Sequence, residues 1–231
     1  MRDRFVGDVG DFGKYGLLRA LCGHDLRLGI VWYFVRDRMI EYLNDPGRFE
    51  ACDSELFEVL KRTVEGCQRT ITSIEASSLF PKGAVFFPEE VPQQLEKRAA
   101  WRQRAMGKAE SCDVLFFDPD NGLKDGDPPK QGLSAKFAYS AELAQFAARG
   151  QSLVVYHSLN MTQRHGAQIL AAAENLAKNV GNATIWALRW RPFLPRAYFI
   201  IPSSREVVLR PRVEAMLDGA WGQHFEAVLF P

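Results

Sequence analysis

The first long apolar run of the chain reads LGIVWYFV and occupies residues 28–35. A nearly continuous apolar run of this length is typical of a strand that is covered on both faces of a sheet. Further short apolar runs follow at 70–75, 84–87, 113–117 and 152–156, and helix-like segments lie between them. This alternation predicts an α/β protein, because strands that alternate with helices form a mostly parallel sheet.

The last third of the chain departs from this alternation. Two apolar segments, at 183–190 and 196–201, are separated only by a short turn that contains proline. Strands joined by so short a turn pair antiparallel, because a parallel pair needs a long crossover. We therefore predict a three-layer, doubly wound, mostly parallel sheet of about seven strands that closes with a C-terminal antiparallel hairpin. No repeat or linker divides the sequence, so we expect a single domain over residues 1–231.

The composition is that of a globular protein. Of the 231 residues, 47% are hydrophobic and 25% are charged, and the formal net charge is +1. With so little net charge, any contact with nucleic acid must come from a local patch. The four cysteines form no C-x-x-C pair, which disfavours a zinc site and leads us to expect reduced thiols. We expect neither a signal peptide nor a transmembrane helix, and hence a cytoplasmic protein without a membrane partner.

The most polar strand end in the sequence reads FFDPDNG, at residues 116–122. It places Asp118, Asp120 and Asn121 at the predicted carboxyl end of the fourth strand, where open α/β sheets bind ligands. Two carboxylates and an amide can orient a nucleophile or bind a cation, whereas a plain turn would use the same residues for their backbone preferences. His157 ends the fifth predicted strand and is a candidate general base, with a hydrogen-bonded structural histidine as the alternative.

The segment before the first strand reads GDVGDFGKYGLLR, at residues 7–19. Asp11 is a predicted helix N-cap, and the leucines after it give the helix an apolar face. The glycines within this helix cost about 1 kcal/mol each relative to alanine, which indicates that its backbone lies close to a neighbouring strand or to a ligand phosphate. We therefore assign Asp8, Asp11, Lys14 and Tyr15 to substrate binding.

The predicted sheet and its closing hairpin resemble the seven-stranded fold of class I S-adenosylmethionine (SAM)-dependent methyltransferases. The run FFDPDNG is similar to the Asp-Pro-Pro-aromatic motif of amino-methyltransferases, although Asp120 and Asn121 replace its second proline and its aromatic residue. The resemblance implies SAM as cofactor, with Glu75 at the end of the second predicted strand binding the ribose and with Trp32 as a second cofactor-binding residue. It also implies that Asp118, Asp120 and Asn121 orient an amino or hydroxyl group of the substrate. A glycine-rich turn normally follows the first strand of these enzymes, and this sequence has none there.

The two motifs together also resemble a family of uncharacterised bacterial and phage-associated proteins. The shared pattern is GDxxDxxKYGLLR followed by FFDPDNG, and it extends through roughly the first 160 residues. This resemblance implies homology and no particular chemistry.

Other interpretations stay open at this point. Asp118-x-Asp120 after an apolar strand is similar to the nucleophile motif of haloacid-dehalogenase-type phosphatases, in which Ser158 and Lys178 would take the later roles. The same two carboxylates, together with Glu75, can bind Mg²⁺ for phosphoryl transfer or nuclease chemistry. A non-catalytic module that binds a nucleotide or a protein is the third possibility.

Two segments combine basic and aromatic side chains, which suits single-stranded nucleic acid or RNA. The first lies on a predicted helix at 90–108 and consists of Lys97, Arg98, Trp101, Arg102, Arg104 and Lys108. The second marks the predicted hairpin and consists of Arg189, Trp190, Arg191, Phe193, Arg196 and Tyr198. We predict nucleic acid as a partner of these patches, with arginine stems that cover apolar surface as the alternative.

The long loop at 118–136 is predicted to be a lid, and its lysines are predicted to close on an anionic substrate.

Overall fold

A computed structural model describes residues 6–33, 46–66, 70–181 and 183–230. The strands are β1 (Leu28–Trp32), β2 (Val85–Phe87), β3 (Val114–Asp118), β4 (Gly122–Lys124), β5 (Phe137–Tyr139), β6 (Ser152–Ser158), β7 (Trp186–Trp190), β8 (Arg196–Ile201) and β9 (Phe225–Leu229). Residues 34 and 35, which the sequence assigns to the first strand, lie outside the described residues.

The helices are α1 (Val9–Cys22), α2 (Pro46–Phe49), α3 (Ser54–Glu65), α4 (Ile71–Glu75), α5 (Leu95–Lys108), α6 (Ser140–Ala147), α7 (His165–Asn179) and α8 (Glu206–Asp218). Short 3₁₀ turns at Ser203–Arg205 and Ala220–Gln223 precede and follow α8. Among the described residues, none of the helices is long and apolar enough to cross a membrane.

Seven of the described strands form one sheet in the order β2-β1-β3-β6-β8-β7-β9. Strands β2, β1, β3 and β6 pair in parallel, β8 is antiparallel to β6 and to β7, and β9 is antiparallel to β7. Strand β7 therefore points the same way as the four parallel strands. The prediction of an α/β protein with a mostly parallel sheet is confirmed. Strands β4 and β5 form a separate parallel pair within and just after the loop that we predicted to be a lid.

Helices cover both faces of the sheet, because alternate side chains of each strand point to opposite sides. On one face, Ile30, Phe116 and Val154 belong to a core that includes residues of α1, α3, α4 and α8. On the other face, Phe117 and Val155 belong to a core that includes residues of α5, α6 and α7. We call these the α1 face and the α5 face. A side chain at a strand end is thus assigned to one face by its place in the alternation.

The predicted second strand is wrong, because its residues form helix α4. Thr70 caps this helix by accepting a hydrogen bond from Ser73 N at 3.1 Å. Ile71 and Ile74 are its buried residues, and a spacing of three is the spacing of one helix face rather than of one strand face. The strand that pairs with β1 on the side away from β3 is β2. Glu75 therefore ends a helix instead of a strand.

Helix α1 begins before the predicted cap. Its N-cap is Asp8, whose carboxylate accepts a hydrogen bond from Asp11 N at 2.7 Å. The predicted cap at Asp11 is therefore wrong, and Asp11 lies in the first turn of the helix. The backbone N–H of Asp11 is one of the donors at a helix start that have no partner within the helix, and the Asp8 carboxylate accepts its hydrogen bond. The Asp11 carboxylate does not cap the helix and therefore contacts other groups.

The glycines of α1 allow side chains of the same protein to approach the helix backbone. A Cβ at Gly10, Gly13 or Gly16 would lie 1.1, 2.6 or 2.2 Å from the side chain of Arg196, Trp190 or Trp221, respectively. Each of these distances is shorter than real Cβ contacts. The sequence analysis offered a neighbouring strand or a ligand phosphate as the reason for these glycines. The structure shows that side chains of the same protein occupy the space beside them.

Candidate functional site

Helix α1 and strand β3 meet in a buried ion-pair network at the carboxyl end of the parallel strands. Lys14 Nζ lies 2.8 Å from Asp11 Oδ1 and 2.9 Å from Asp118 Oδ2. The three side chains are only 4%, 1% and 4% exposed, respectively. The structure therefore joins residues that the sequence analysis assigned separately to substrate binding and to catalysis.

Asp11 is the centre of the hydrogen bonds around this network. Besides the Lys14 ammonium, its carboxylate accepts hydrogen bonds from Gly7 N at 3.0 Å and from the Tyr15 hydroxyl at 3.2 Å. A buried carboxylate needs such donors, because burying a charge without partners is costly. All four residues that we assigned to substrate binding thus belong to one constellation, with Asp8 connected through the backbone N–H of Asp11.

Burial and charge determine the protonation of these groups. Burial by itself would lower the pKa of Lys14, but the Asp11 and Asp118 carboxylates outweigh it and raise that pKa well above its ordinary value. Burial raises the pKa of Asp11 to about 6, although Lys14 opposes the change. Burial also raises the pKa of the Tyr15 phenol. Lys14 is therefore an ammonium ion at neutral pH, and it donates hydrogen bonds rather than acting as a general base.

The start of α1 is tied to strand β8 by a second ion pair. Arg196 Nη2 lies 3.4 Å from Asp8 Oδ2, and the two side chains are 12% and 10% exposed. We placed Arg196 in a nucleic-acid-binding patch, but its guanidinium is turned toward α1, next to Gly10. Gly10 makes this contact possible, because any larger residue there would occupy the space of the guanidinium.

Two tyrosines complete the α1 face of the network, and sequence reasoning gave neither of them this role. The Tyr156 ring has Lys14 Nζ at 5.9 Å and the Arg196 guanidinium at 5.9 Å from its centroid. Tyr198 packs against Tyr156 with ring centroids 6.0 Å apart, and its buried hydroxyl has no hydrogen-bond partner among the described residues. Strand alternation is the signal that could have found them. Tyr198 is two residues from Arg196 on β8 and therefore points to the same face of the sheet. Tyr156 on β6 is the register partner of Tyr198.

The two residues assigned to the cofactor contact each other beside the network. Trp32 Nε1 donates a hydrogen bond to Glu75 Oε1 at 2.8 Å, and Trp32 and Asp118 are register partners on the neighbouring strands β1 and β3. Trp32 is fully buried, and Glu75 is partly exposed. Burial raises the pKa of Glu75, and the hydrogen bond from Trp32 opposes the change. Although Glu75 comes from a helix and not from a strand, it reaches the expected end of the sheet.

Asp120 and Asn121 of the FFDPDNG turn have a more exposed setting than Asp118. Asp120 is partly exposed and Asn121 is exposed, and Asn121 N donates a hydrogen bond to Lys136 O at 2.9 Å. Gly122 has a φ of +106°, and a Cβ at this position would lie 2.5 Å from His157 Nδ1. Part of this turn is thus dictated by the backbone, as the plain-turn interpretation expected.

His157 is placed apart from Asp118. Its Nδ1 accepts a hydrogen bond from Leu123 N at 3.0 Å, and its ring packs on Phe199 in the core of the α5 face. Burial lowers the pKa of His157 to about 4, so the ring is neutral at physiological pH. Since Tyr156 points to the α1 face, the next residue points away from the network. The structure therefore supports the structural role of His157 over the role of a base that acts together with Asp118.

The described residues do not assemble a metal site around the turn. Among them, no group of three or more His, Cys, Asp or Glu side chains could hold a metal ion. The Lys14 ammonium contacts Asp118 Oδ2 at 2.9 Å, so a divalent cation at Asp118 would lie beside a positive charge that repels it. Lys178, proposed for a phosphatase role, forms an exposed ion pair with Glu174 on the surface of α7.

The basic helix α5 contributes less to the surface than its sequence indicates. Arg98 is fully buried, and two of its nitrogens donate to the Glu142 carboxylate at 2.8 and 2.7 Å. Trp101 is also buried, so neither residue can contact nucleic acid. Arg102 reaches Glu142 as well, and Arg104 pairs with Glu89. The prediction of a nucleic-acid patch on this helix is wrong for its buried members, because one helix face packs on the sheet.

The C-terminal end of the predicted lid is held in place by hydrogen bonds from Arg98. Arg98 also donates to Ser134 O at 3.2 Å and to Phe137 O at 2.7 Å. Among the lysines that we expected to close on a substrate, Lys124 lies 4.3 Å from the centroid of the Phe137 ring, whereas Lys130 is exposed and Lys136 is partly exposed. The loop is therefore a fixed part of the fold near its C-terminal end.

The second basic and aromatic patch is also divided by the fold. Trp190 and Tyr198 are buried, and Arg189 pairs with Glu226 at 3.3 Å. Arg191 and Phe193 are exposed, between strands β7 and β8.

Comparison with models of known protein families gives no match for this chain, and a search among curated proteins gives none either. The argument for function therefore depends on the site itself.

Proposed function

We propose that this chain is a SAM-dependent methyltransferase-like protein that acts on an amino or hydroxyl group of a nucleic acid or another substrate. The observation that carries the proposal is the junction of Glu75, Trp32 and Asp118. Trp32 connects the residue assigned to the cofactor ribose with the residue assigned to the nucleophile, because it donates a hydrogen bond to Glu75 and pairs in register with Asp118.

The position of this junction in the sheet supports a ligand site. Strand β1 has β2 on one side and β3 on the other, so the order of the strands reverses there. In open α/β sheets, ligands bind outside the carboxyl ends of the strands at such a switch point. Trp32 and Asp118 are the last residues of β1 and β3. The antiparallel pairing of β7 with β8 is a further feature in favour of the methyltransferase resemblance.

The side chains suit the two roles. The Glu75 carboxylate is oriented through one oxygen by Trp32, and a carboxylate is a strong acceptor for the hydroxyl groups of a ribose. Bound SAM would supply an electrophilic methyl group. The ion pair with Lys14 fixes the Asp118 carboxylate, which can accept a hydrogen bond from a substrate amino or hydroxyl group and direct its lone pair.

Phosphoryl transfer with Mg²⁺ is the alternative that the site supports less well. A cation at Asp118 would meet the positive charge of Lys14, whose pKa is raised well above its ordinary value by its carboxylate neighbours. The titration described next distinguishes the two functions, and it also distinguishes both from a non-catalytic module.

The test is calorimetric titration of SAM into the wild type and Glu75→Gln and, separately, of Mg²⁺ into the wild type and Asp118→Asn. Glutamine keeps the shape and an acceptor for Trp32, but it loses the charge. We expect SAM to bind the wild type, and to bind Glu75→Gln roughly 10- to 150-fold more weakly, the equivalent of a charge-assisted hydrogen bond of about 1.5–3 kcal/mol. Glu55→Gln is the matched control, because Glu55 is an exposed glutamate on α3 and should leave SAM binding unchanged.

Two results would contradict the proposal. The absence of heat from SAM with the wild type would remove the cofactor. Heat from Mg²⁺ that disappears in Asp118→Asn would favour phosphoryl transfer. If neither ligand binds, the non-catalytic module is the better description.

A further inference from the structure

Three large apolar side chains are exposed at the carboxyl end of the sheet. Met161, Phe193 and Leu194 are 84%, 68% and 70% exposed, respectively. Met161 lies in the segment that follows β6, and the other two lie in the turn between β7 and β8. We call these three residues the apolar rim. Exposed apolar side chains that occur together, rather than singly, mark interaction surfaces.

The two segments that carry the apolar rim are neighbours. Ser158 at the end of β6 is the register partner of Arg196 at the start of β8. Just beyond this pair, Leu159 N donates a hydrogen bond to Pro195 O at 3.4 Å. The apolar rim therefore projects from one place on the sheet edge.

The apolar rim also adjoins the buried network. Leu194 is separated from Arg196 by a single proline, and Arg196 contacts Asp8 at the start of α1. Asp8 in turn holds Asp11, which contacts Lys14. The apolar rim and the candidate site thus share one end of the sheet, and a ligand that covers the first can extend toward the second.

The two segments that carry the apolar rim contain positively charged side chains and no negatively charged ones. Residues 159–165 read LNMTQRH and residues 190–196 read WRPFLPR, so neither segment contains Asp or Glu. Arg164 and Arg191 are exposed within them. The Arg191 guanidinium donates hydrogen bonds to Gly222 O and Gln223 O, so Arg164 is the better placed of the two to contact a ligand. A polyanion is attracted to such a surface, whereas a partner surface with many lysines and arginines is not.

We propose that Phe193 stacks on an unpaired base of a single-stranded nucleic acid, that Met161 and Leu194 pack beside it, and that Arg164 contacts a phosphate of the same strand. Proteins that bind single strands combine exposed aromatic side chains with positive charge in this way, because every base has a face to stack on. Three side chains offer too little apolar area for stable insertion into a lipid surface, which requires a whole helix face or its equivalent. The inference names the substrate class for the proposed function and rests on that function for the reaction.

The test is fluorescence anisotropy of a labelled single-stranded oligonucleotide of mixed sequence, titrated with the wild type, Phe193→Ala and Val207→Ala. Val207 is the matched control, since it is 86% exposed and lies on α8. Helix α8 follows the C-terminal end of β8, which is at the opposite end of the strands from the apolar rim. We expect Phe193→Ala to weaken binding roughly 5- to 150-fold, the range that corresponds to the loss of stacking on one base. Binding by Val207→Ala should equal that of the wild type.

A salt titration checks the phosphate contacts. We expect Arg164→Gln to reduce the slope of log K against log salt concentration by about 0.7, the value for one phosphate contact on a single strand. Equal affinities of Phe193→Ala and Val207→Ala would overturn the proposal. So would tighter binding of the wild type to a duplex of the same sequence, or binding to vesicles of phosphatidylcholine and phosphatidylserine in place of the oligonucleotide.

The two proposals can fail separately. Glu75→Gln should keep the affinity for the oligonucleotide while it loses affinity for SAM. Phe193→Ala should show the opposite behaviour. If the oligonucleotide does not bind but SAM does, the substrate class is wrong and the proposed function stands.

Discussion

Replacing Gly16 by alanine should destabilise this protein, although the same change usually stabilises a helix. A Cβ at Gly16 would lie 2.2 Å from Trp221 Cη2, about 1.2 Å short of the 3.4 Å at which ordinary contacts begin. Trp221 cannot easily move away, because its ring packs against Phe12 at 4.9 Å and against Phe225 at 6.1 Å. The overlap must therefore be relieved by shifting α1 or the aromatic cluster.

The size of the effect follows from two opposing contributions. Alanine gains about 1 kcal/mol of helix propensity over glycine. Overpacking a filled core costs about 1–3 kcal/mol, and sometimes more. A control removes the first contribution: Gly107 lies in α5, and among the described residues no atom lies within 4 Å of a Cβ built there. Relative to Gly107→Ala, we expect Gly16→Ala to lower the free energy of unfolding by about 1–3 kcal/mol, which is the overpacking cost alone.

The assay is urea denaturation of the wild type and both variants, followed by tryptophan fluorescence and by circular dichroism. Equal m-values would show that the unfolded states are comparable, so that a shift in midpoint reports stability. In thermal unfolding, a protein of this size should show about 2–4 °C for each kcal/mol. If Gly16→Ala is as stable as Gly107→Ala, the helix does not pack on Trp221 as described. The glycines would then need another explanation, such as a bound ligand.

Other variants test the remaining parts of the site. Tyr198→Phe should leave the free energy of unfolding unchanged or slightly higher, since the Tyr198 hydroxyl has no partner among the described residues. Tyr15→Phe should lower the free energy of unfolding by about 1–3 kcal/mol, because it removes the buried hydrogen bond to Asp11. Equal losses of the two variants in urea denaturation would contradict this contrast. His157 has a folded pKa of about 4, below its ordinary 6.5, so its contribution to stability is full above about 6.5 and is lost as the pH falls through 4. Titration of its Cε1 proton by NMR should show a neutral ring at pH 5, and a midpoint near 6.5 would refute the burial argument. Arg98→Met should cost up to about 3–5 kcal/mol in urea denaturation, because the buried Glu142 would keep only Arg102 as a charged partner, and Ser134 O and Phe137 O would lose their donor. A loss below 1 kcal/mol would mean that the pair of Arg98 with Glu142 is open to solvent.

The alternation of apolar runs with helical segments was enough to predict the α/β class and the mostly parallel sheet. Such runs report burial directly, because a strand covered on both faces has no solvent-exposed side to mark with polar residues. The sequence also indicated Asp118 as a site residue, since an aspartate after a buried strand has to lie at a sheet edge. These inferences need only the residues next to one another in the chain.

Other features were decided by the tertiary structure. The segment that ends at Glu75 is five residues long, and two isoleucines three apart do not distinguish a helix from a strand until the neighbouring elements are packed. Arg98 reads as a surface cation until Glu142, 44 residues later, is folded against it.

The ion pair of Lys14 with Asp118 joins residues 104 positions apart, and the glycines of α1 face tryptophans that lie far along the chain. Local sequence records the preferences of each segment. Which charges are buried together, and which side chains fill the space beside a glycine, depend on contacts that form only when distant segments pack.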